Sequence, residues 1–184
     1  MIEKITDNIW KVANDSNIYY LKEEKMLIDC GNREFLAQIK QDIKKLFNPE
    51  AIRIVLLTHF HCDHVGCVDL FHNATFYASA ICIDNFHKVA KGLVFDEKII
   101  QILKKIDIKP FKKLDNFEII ETPGHTGGSV CFLYKNKILF SGDTLFRNGF
   151  GRVDLPTSNP VDMKFSLAKL KRINYEVLCS GHDY

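Results

Sequence analysis

Apolar runs broken by polar clusters mark the predicted strands in the N-terminal part of the chain. Residues 9–12 and 18–21 are aromatic and β-branched, and the polar residues 14–17 between them predict a hairpin. Met26–Ile28 predicts a third short strand. Residues 52–57 form an apolar run interrupted only by Arg53, which is typical of a strand buried on both faces. The pattern therefore predicts that this part of the chain is built mainly from short strands.

Apolar residues also recur at helical spacing in several segments. Residues 35–47 predict a helix that the Asn-Pro pair at 48–49 stops. Residues 65–71 predict a short helix, and a longer one runs through residues 81–89. Near the C-terminus, Asn159 is predicted to cap a helix that has Pro160 at its first position.

The stretch from residue 90 to residue 113 admits two interpretations. Ile99, Ile102, Leu103 and Ile106 fit an amphipathic helix, which either forms a lid or faces the core, and the core-facing helix is the preferred interpretation. Further strands are predicted at residues 75–77, Phe117–Glu121, 129–134, 137–140 and 176–179. Without linkers or repeats, residues 1–184 are expected to form a single domain of mixed strands and helices.

Length, charge and cysteine content narrow the class of protein. At 184 residues, with 46% hydrophobic and 26% charged residues, the chain is typical of a globular domain. The net charge is +2 and the lysine pairs are scattered, so no nucleic-acid partner is expected. No signal peptide is visible, and no apolar run approaches the ~20 residues that span a bilayer, so no membrane partner is expected. Six cysteines without a CxxC pair predict reduced thiols and a cytoplasmic location.

The segment of residues 58–64, THFHCDH, carries the strongest chemical signal. His59, His61, Asp63 and His64 are four potential metal ligands, and they directly follow an apolar strand. Imidazole and carboxylate are the ligand set of zinc and of similar divalent ions. Burying several ionisable groups without a metal would be costly, so the cluster predicts a metal site.

Three further segments place one ligand each after a predicted strand. His125 lies in the glycine-rich turn 122–128, Asp143 follows the strand at 137–140, and His182 follows the last strand. Each would be a weak signal alone, since a lone histidine is more often structural. All three recur at strand-to-loop junctions, and they lie beside glycines, which permit close approach of the backbone. This recurrence predicts that the three side chains converge on one site.

At this point the chain resembles the metallo-β-lactamase-fold hydrolases, in particular their glyoxalase II-like branch. The segments LIDCG, THFHCDH, PGHTGG, SGDTLF and SGHDY resemble the five motifs of that family in order. The resemblance implies an αββα sandwich, a four-layer α/β fold with two facing sheets. It also implies two Zn²⁺ ions per chain. His59, His61 and His125 would bind one ion, Asp63, His64 and His182 the other, and Asp143 would bridge both.

The resemblance bears on two more residues near the ligands. Asp29 would orient the metal loops, although a simple turn residue after a strand is an equal interpretation. Cys62 occupies a variable position inside the loop, and we interpret it as a packing residue rather than a ligand.

The stretch GDTLFRNGFGRVDLP resembles the glyoxalase II-like branch, and this resemblance implies hydrolysis of a small ester or thioester. Two divalent metals ~3.5–4 Å apart lower the pKa of a shared water, and the resulting bridging hydroxide would attack a carbonyl carbon. Asp63 and Asp143 are expected to act catalytically, with Asp63 orienting the nucleophile or taking its proton. Arg152 is a candidate anchor for a substrate carboxylate, or else an ion-pair partner of Asp154.

Two departures from glyoxalase II concern its glutathione substrate. Asp154 stands where that enzyme is expected to carry a tyrosine, and the sequence ends at Tyr184, before the helical C-terminal domain of that enzyme. Since resembling proteins usually continue further, we expect either a minimal member or a truncated piece.

Proteins of the same fold also have other functions. The main alternative is a persulfide dioxygenase-like oxidoreductase with one Fe²⁺ held by the equivalents of His59, His125 and Asp143. A flavodiiron-type reductase is disfavoured by His61, because that ligand position is normally acidic there. A nuclease is disfavoured, because such enzymes carry extra domains that bind nucleic acid. A purely structural zinc site is also disfavoured, because it would use four protein ligands per metal, whereas here seven would serve two metals. The oligomeric state is not determined by the sequence.

Overall fold

The computed structural model describes residues 1–183, so Tyr184 lies outside the described residues. Its first sheet has seven strands, and their spatial order follows the sequence. The strands are β1 (Ile2–Lys4), β2 (Ile9–Ala13), β3 (Asn17–Leu21), β4 (Met26–Ile28), β5 (Ile54–Leu56), β6 (Thr75–Ala78) and β7 (Ile108–Pro110). Strands β1 to β4 pair antiparallel, whereas β4 to β7 pair parallel.

The second sheet has four strands in the order β11-β10-β9-β8. The strands are β8 (Phe117–Glu121), β9 (Val130–Tyr134), β10 (Ile138–Gly142) and β11 (Val177–Ser180). Strands β8, β9 and β10 pair antiparallel, and β10 pairs parallel with β11. Because β10 and β11 run in the same direction, the segments that follow them leave the sheet at the same edge.

The helices connect the strands and cover the sheets. Within the described residues they are α1 (Leu36–Leu46), α2 (Cys62–Val65), α3 (Ala80–Val94), α4 (Glu97–Leu103) and α5 (Pro160–Leu170), with 3₁₀ turns at Arg33–Phe35, Pro49–Ala51 and Val68–Leu70. The side chain of Asn159 accepts hydrogen bonds from the backbone of Val161 and Asp162, which confirms the predicted cap of α5. No helix among residues 1–183 is long and apolar enough to cross a bilayer.

Successive side chains of a strand point to opposite faces of its sheet, and this alternation produces a four-layer arrangement. In β3, Ile18 and Tyr20 pack into the core beneath α1, α3 and α4, while Tyr19 and Leu21 pack into the core between the sheets. The same inter-sheet core receives Phe132 from β9. On the far side of the second sheet, a smaller core includes residues of β8, β9 and β10 and Leu170 of α5. The αββα layering expected from the sequence is therefore confirmed.

Most predicted elements lie where the sequence placed them, with three differences. The helix after the metal loop begins at Cys62 rather than at residue 65, so the second half of the ligand motif is itself helical. Strands β1 and β7 were not predicted. Helix α4 buries Ile99 and Leu103, which confirms that it faces the core.

Candidate metal centre

The polar residues that follow five strands meet at one region of the structure. Asp29 follows β4, His59 follows β5, His125 follows β8, Asp143 follows β10 and His182 follows β11. The short helix α2 adds Asp63 and His64, and His61 precedes it. All seven predicted ligands thus come together, and they form two neighbouring groups.

His59, His61 and His125 form the first group, which we call the three-histidine group. One ring nitrogen of each lies within 4.8 Å of those of the other two, and all three residues are buried. Among the described residues, the Nε2 atoms of these three side chains have no hydrogen-bond partner. Buried polar atoms are rarely left without a partner. Three converging imidazole nitrogens in this condition fit a divalent metal ion.

Asp63, His64, Asp143 and His182 form the second group, called the mixed group, with ligand atoms again within 4.8 Å of one another. Nε2 of His182 lies 3.1 Å from Oδ2 of Asp63 and 3.3 Å from Oδ2 of Asp143. Nε2 of His64 lies 3.2 Å from Oδ1 of Asp143. Two imidazoles and two carboxylates supply the nitrogen and oxygen donors that zinc, iron and similar ions accept.

Asp143 lies between the two groups. Its Oδ2 atom is 3.4 Å from Nε2 of His125 in the three-histidine group, and its Oδ1 faces His64 in the mixed group. The rings of His59 and His64, one from each group, have centroids 4.2 Å apart. The two groups are therefore adjacent parts of one centre.

In His125 and His182, a hydrogen bond at Nδ1 fixes the orientation of the imidazole ring. Nδ1 of His125 lies 2.8 Å from the backbone oxygen of Arg152, and Nδ1 of His182 lies 2.9 Å from that of Asp15. A carbonyl oxygen can only accept, so both Nδ1 atoms carry the hydrogen. In the neutral form of each ring, Nε2 therefore has a lone pair that faces the centre, which is the state that a metal requires.

Asp29 connects the loop residues of both groups. Its carboxylate accepts hydrogen bonds from the backbone N–H and the hydroxyl of Thr58, both at 2.8 Å, and Nδ1 of His64 is also 2.8 Å away. Nδ1 of His59 lies 2.9 Å from the hydroxyl oxygen of Thr58. Asp29 has a φ of +59° and is 2% exposed. It is a turn residue, as one interpretation of the sequence had it, and it also orients the histidine loop.

In the metal-free protein, burial keeps the three-histidine group neutral. Burial lowers the pKa of His61 to about 3 and that of His59 well below its ordinary value. Burial also lowers the pKa of His125, although the carboxylate of Asp143 opposes this effect. Neutral imidazoles need not lose a proton before binding a metal.

In the mixed group, by contrast, the neighbouring carboxylates keep the histidines charged. Burial opposes the charge of His182, but hydrogen bonds to Asp143 and Asp63 raise its pKa to about 10. Burial would likewise lower the pKa of His64, yet the same carboxylates raise it well above its ordinary value. Burial would raise the pKa of Asp63, but His64 and His182 lower it to about 2. Without metal, this group is a cluster of buried ion pairs.

Two glycines allow the backbone to pass very close to the ligands. A Cβ atom on Gly181 would lie 2.1 Å from Oδ1 of Asp143, and one on Gly151 would lie 1.9 Å from the backbone oxygen of the same residue. Gly181 belongs to the SGHDY motif noted in the sequence, but the sequence did not show what either glycine approaches. Packing at the metal centre therefore requires glycine at both positions.

A cavity of about 730 Å³ opens above the centre. Ligands of both groups line it, together with Cys62 and the segment of residues 148–152. The rings of Phe95 and Phe146 also line it, and they contact His61 and His182 with centroids 5.4 and 6.0 Å apart. Neither phenylalanine was singled out in the sequence, because an apolar residue carries no chemical signal before its position is known.

Arg152 lies at the rim of this cavity, and its side chain is paired with Asp154. Nε and one terminal nitrogen of its guanidinium each lie 2.8 Å from a carboxylate oxygen of Asp154. Both residues are exposed. The structure therefore shows the ion pair that was one interpretation of the sequence, and the backbone oxygen of Arg152 has the separate role of orienting His125.

Sequence comparison identifies the family. Residues 12–182 match the model of the metallo-beta-lactamase superfamily, which is most of the chain. The chain belongs to this superfamily, and its histidine and aspartate cluster is the metal-binding site typical of the fold.

Several curated proteins are similar over much of their length. The chain is 33% identical to a probable metallo-hydrolase of Streptococcus pyogenes, covering 89% of this chain and 75% of that protein. It is 31% identical to a probable metallo-hydrolase of Methanocaldococcus jannaschii, with 91% and 87% covered. It is also 35% identical to a hydroxyacylglutathione hydrolase of Salmonella dublin, with 100% of this chain but 64% of that protein covered.

Solved structures confirm the fold. A protein crystallised in a di-iron-bound form has a TM-score of 0.70 and 26% identity, with 95% of this chain and 91% of that chain covered. A subclass B3 metallo-beta-lactamase of Bradyrhizobium japonicum has a TM-score of 0.74 at 24% identity, with 98% and 77% covered. The latter likeness concerns the fold alone.

Proposed function

We propose that this protein is a metal-dependent hydrolase that cleaves a small ester or thioester. The observation that carries the proposal is the convergence of three buried Nε2 atoms that make no hydrogen bond, beside a second group of four candidate ligands, at the floor of an open cavity. Purely structural zinc sites are closed by four protein ligands each. Seven side chains shared between two ions leave positions for water and substrate.

The ligand assignment follows the two groups. His59, His61 and His125 would hold one ion, Asp63, His64 and His182 would hold the other, and Asp143 would contribute to both. Two Zn²⁺ ions are the proposed complement, since zinc accepts imidazole and carboxylate ligands without a redox role. Bound there, the ions would supply Lewis acidity and lower the pKa of a water molecule.

The side chains around the ions have separate tasks in this mechanism. Asp63 lines the cavity, so its carboxylate is placed to orient the attacking water and to accept its proton. Asp29 and the carbonyl oxygens of Asp15 and Arg152 hold the imidazole rings, so the ligands do not reorganise during the reaction. Phe146 lies against His182 and restricts the access of bulk water to that side.

The substrate class rests on the relatives. The similarity to a hydroxyacylglutathione hydrolase over the full length of this chain supports a thioester, although the chain spans only 64% of that protein. Arg152, at the cavity rim, is the proposed anchor for a substrate carboxylate, which would compete with Asp154 for the guanidinium. The six cysteines are free, which supports the proposed cytoplasmic location.

An oxidoreductase with one Fe²⁺, of the persulfide dioxygenase type, is the second candidate. The similarity to a protein crystallised in a di-iron-bound form supports iron as the alternative metal. However, a single-iron enzyme would use His59, His125 and Asp143 and leave the other ligands of the mixed group without a role. The four convergent ligands of that group therefore favour the hydrolase.

Activity measurements on metal-loaded protein test the proposal. Protein reconstituted with Zn²⁺ should hydrolyse S-lactoylglutathione or a small neutral thioester, and chelation should abolish turnover. Asp143→Ala should lose both metal and activity. Oxygen consumption by an iron-loaded sample with no thioester hydrolysis would support the oxidoreductase, and full activity of Asp143→Ala would exclude the proposed centre.

A further inference from the structure

We propose that Phe95 determines specificity, by forming an apolar wall that selects substrates with an apolar group next to the scissile bond. The inference rests on the proposed hydrolase function and narrows its substrate class. It is carried by the backbone conformation of Phe95, by the position of its ring and by the other apolar side chains of the same cavity.

The backbone of Phe95 is held in a conformation that phenylalanine rarely adopts. Helix α3 ends at Val94, and Phe95 follows with φ of +63° and ψ of 7°, in the left-handed region. Glycine is the usual residue at such a position, because a Cβ atom clashes with the backbone there. A bulky residue in this region stores strain, and such strain tends to occur at functional sites.

The ring of Phe95 does not contribute to the hydrophobic core. Its neighbours Leu93 and Val94 are completely buried in the core beneath the first sheet, whereas Phe95 is 44% exposed. Its ring centroid lies 5.4 Å from that of His61, a member of the three-histidine group, and the residue lines the cavity above the centre. The strained conformation therefore places an exposed ring beside the ligands.

Other apolar side chains complete this wall. Phe150, which is 53% exposed, and the half-buried Leu155 line the same cavity. Exposed aromatic rings at the mouth of a polar centre bind apolar groups by removing both surfaces from water. A substrate that carries an alkyl or aryl group beside its carbonyl would gain this contact, and a fully polar substrate would not.

Two series of thioesters test the selectivity. In one, the acyl chain grows from acetyl to hexanoyl on a fixed small thiol; in the other, the thiol grows and the acyl group stays acetyl. For the Zn²⁺-loaded protein we expect kcat/KM in one series to rise by about two- to fourfold per methylene, mainly through KM. In Phe95→Gly the increase in kcat/KM should largely disappear. Phe165→Ala is the control, because the ring of Phe165 is 71% exposed and lies outside the cavity lining. In this control the increase should persist.

A binding measurement separates this inference from the proposed function. Titration calorimetry of the metal-loaded protein with butanoate, hexanoate and octanoate should show Kd decreasing with chain length, and Phe95→Gly should remove the trend. If no thioester is cleaved but this trend holds, the hydrolase proposal fails and the role of Phe95 stands.

The stability of the same variant provides an independent check. Glycine relieves the left-handed strain while removing a ring that lies outside the core, so the Tm of Phe95→Gly should stay within a few degrees of the wild type. A fall of more than about 10 °C would assign Phe95 to the packing of the fold and overturn the inference. Equal kcat/KM and equal Kd along every series in the wild type would also overturn it.

Discussion

Nδ1 of His64 lies 2.8 Å from Oδ2 of Asp29, and the same carboxylate reaches His59 through the hydroxyl of Thr58. One buried carboxylate thus orients one histidine in each ligand group. A carboxylate in this position fixes the ring and increases the basicity of the nitrogen that faces the metal. Both halves of the centre depend on a residue that lies behind the proposed ligands.

We expect Asp29→Asn to weaken metal binding by about 10- to 100-fold, the usual effect of losing such a partner. Oδ1 of Asp29 accepts from the backbone N–H of Thr58, and Oδ2 accepts from the hydroxyl of Thr58 and faces Nδ1 of His64. An amide has one oxygen, so its NH2 group would face a donor on one of these two sides. Competition with a fluorescent zinc chelator measures the change.

Asp84→Asn is the matched control for this experiment. Asp84 lies on the exposed face of α3, where it pairs with Lys88, so its substitution should leave zinc affinity unchanged. If Asp29→Asn bound zinc as tightly as this control, the proposed orienting role of Asp29 would be wrong.

Gly181→Ala should disable the mixed group selectively. The added Cβ would lie 2.1 Å from Oδ1 of Asp143 and 2.9 Å from Cε1 of His64, so both side chains must move. The clash is with Oδ1 of Asp143, which faces the mixed group, whereas Oδ2 faces His125 in the three-histidine group. We therefore expect the protein to retain one metal and lose the other. Metal content per chain after gel filtration measures the result.

Gly149→Ala provides the comparison in the same region, because a Cβ there would have nothing within 4 Å. It should keep the metal content of the wild type. A Gly181→Ala protein that also keeps full metal content would contradict the close approach that the structure shows.

Much of the fold could be predicted because its apolar pattern is local. Strands β3 and β9 bury every residue, and α5 begins with a recognisable Asn-Pro cap. Strand β7 was missed because its middle and last residues are exposed and the last is Pro110. That strand exists through its parallel pairing with β6, which no local pattern reveals.

The candidate site could be predicted to a similar extent. The seven proposed ligands could be recognised because histidine and aspartate at strand ends carry a chemical signal. The carbonyl oxygens of Asp15 and Arg152 were not, since every residue has one and only the fold brings these two to His182 and His125. The position of Phe95 likewise depends on how α3 ends.

Arg152→Ala should affect anionic substrates alone. Its guanidinium is exposed and already paired with Asp154. Exchanging this partner for a substrate carboxylate therefore gains little binding free energy. We expect KM for S-lactoylglutathione to rise about two- to fivefold with kcat unchanged, and kinetics with a neutral thioester to stay the same.

Asp154→Asn should have the reverse effect, a lower KM for the anionic substrate, because it frees the guanidinium. Arg172→Ala, an exposed arginine of another segment, serves as the charge-matched control. Equal changes in KM for charged and neutral thioesters would argue against Arg152 as an anchor.

The metal-free protein should lose stability as the pH rises above neutral. His182 has a pKa of about 10 in the folded protein against an ordinary 6.5, so its stabilising ion pairs are fully present below about pH 6.5 and are lost as the pH approaches 10. Asp63 has a pKa of about 2, so its contribution is lost only under strongly acidic conditions.

Urea unfolding of chelator-treated protein near pH 6 and near pH 9 measures this effect. The decrease in unfolding free energy between the two should shrink in His182→Gln, which cannot be charged. An identical decrease in the variant would show that the mixed group does not carry these ion pairs.

The central claim is that the seven side chains hold two metal ions. Native mass spectrometry of protein titrated with Zn²⁺ counts the ions bound to each chain. We expect two ions per chain, with one lost in Gly181→Ala. A single ion per chain at saturating zinc, with Asp63, His64 and His182 replaceable without loss of metal, would contradict the binuclear centre.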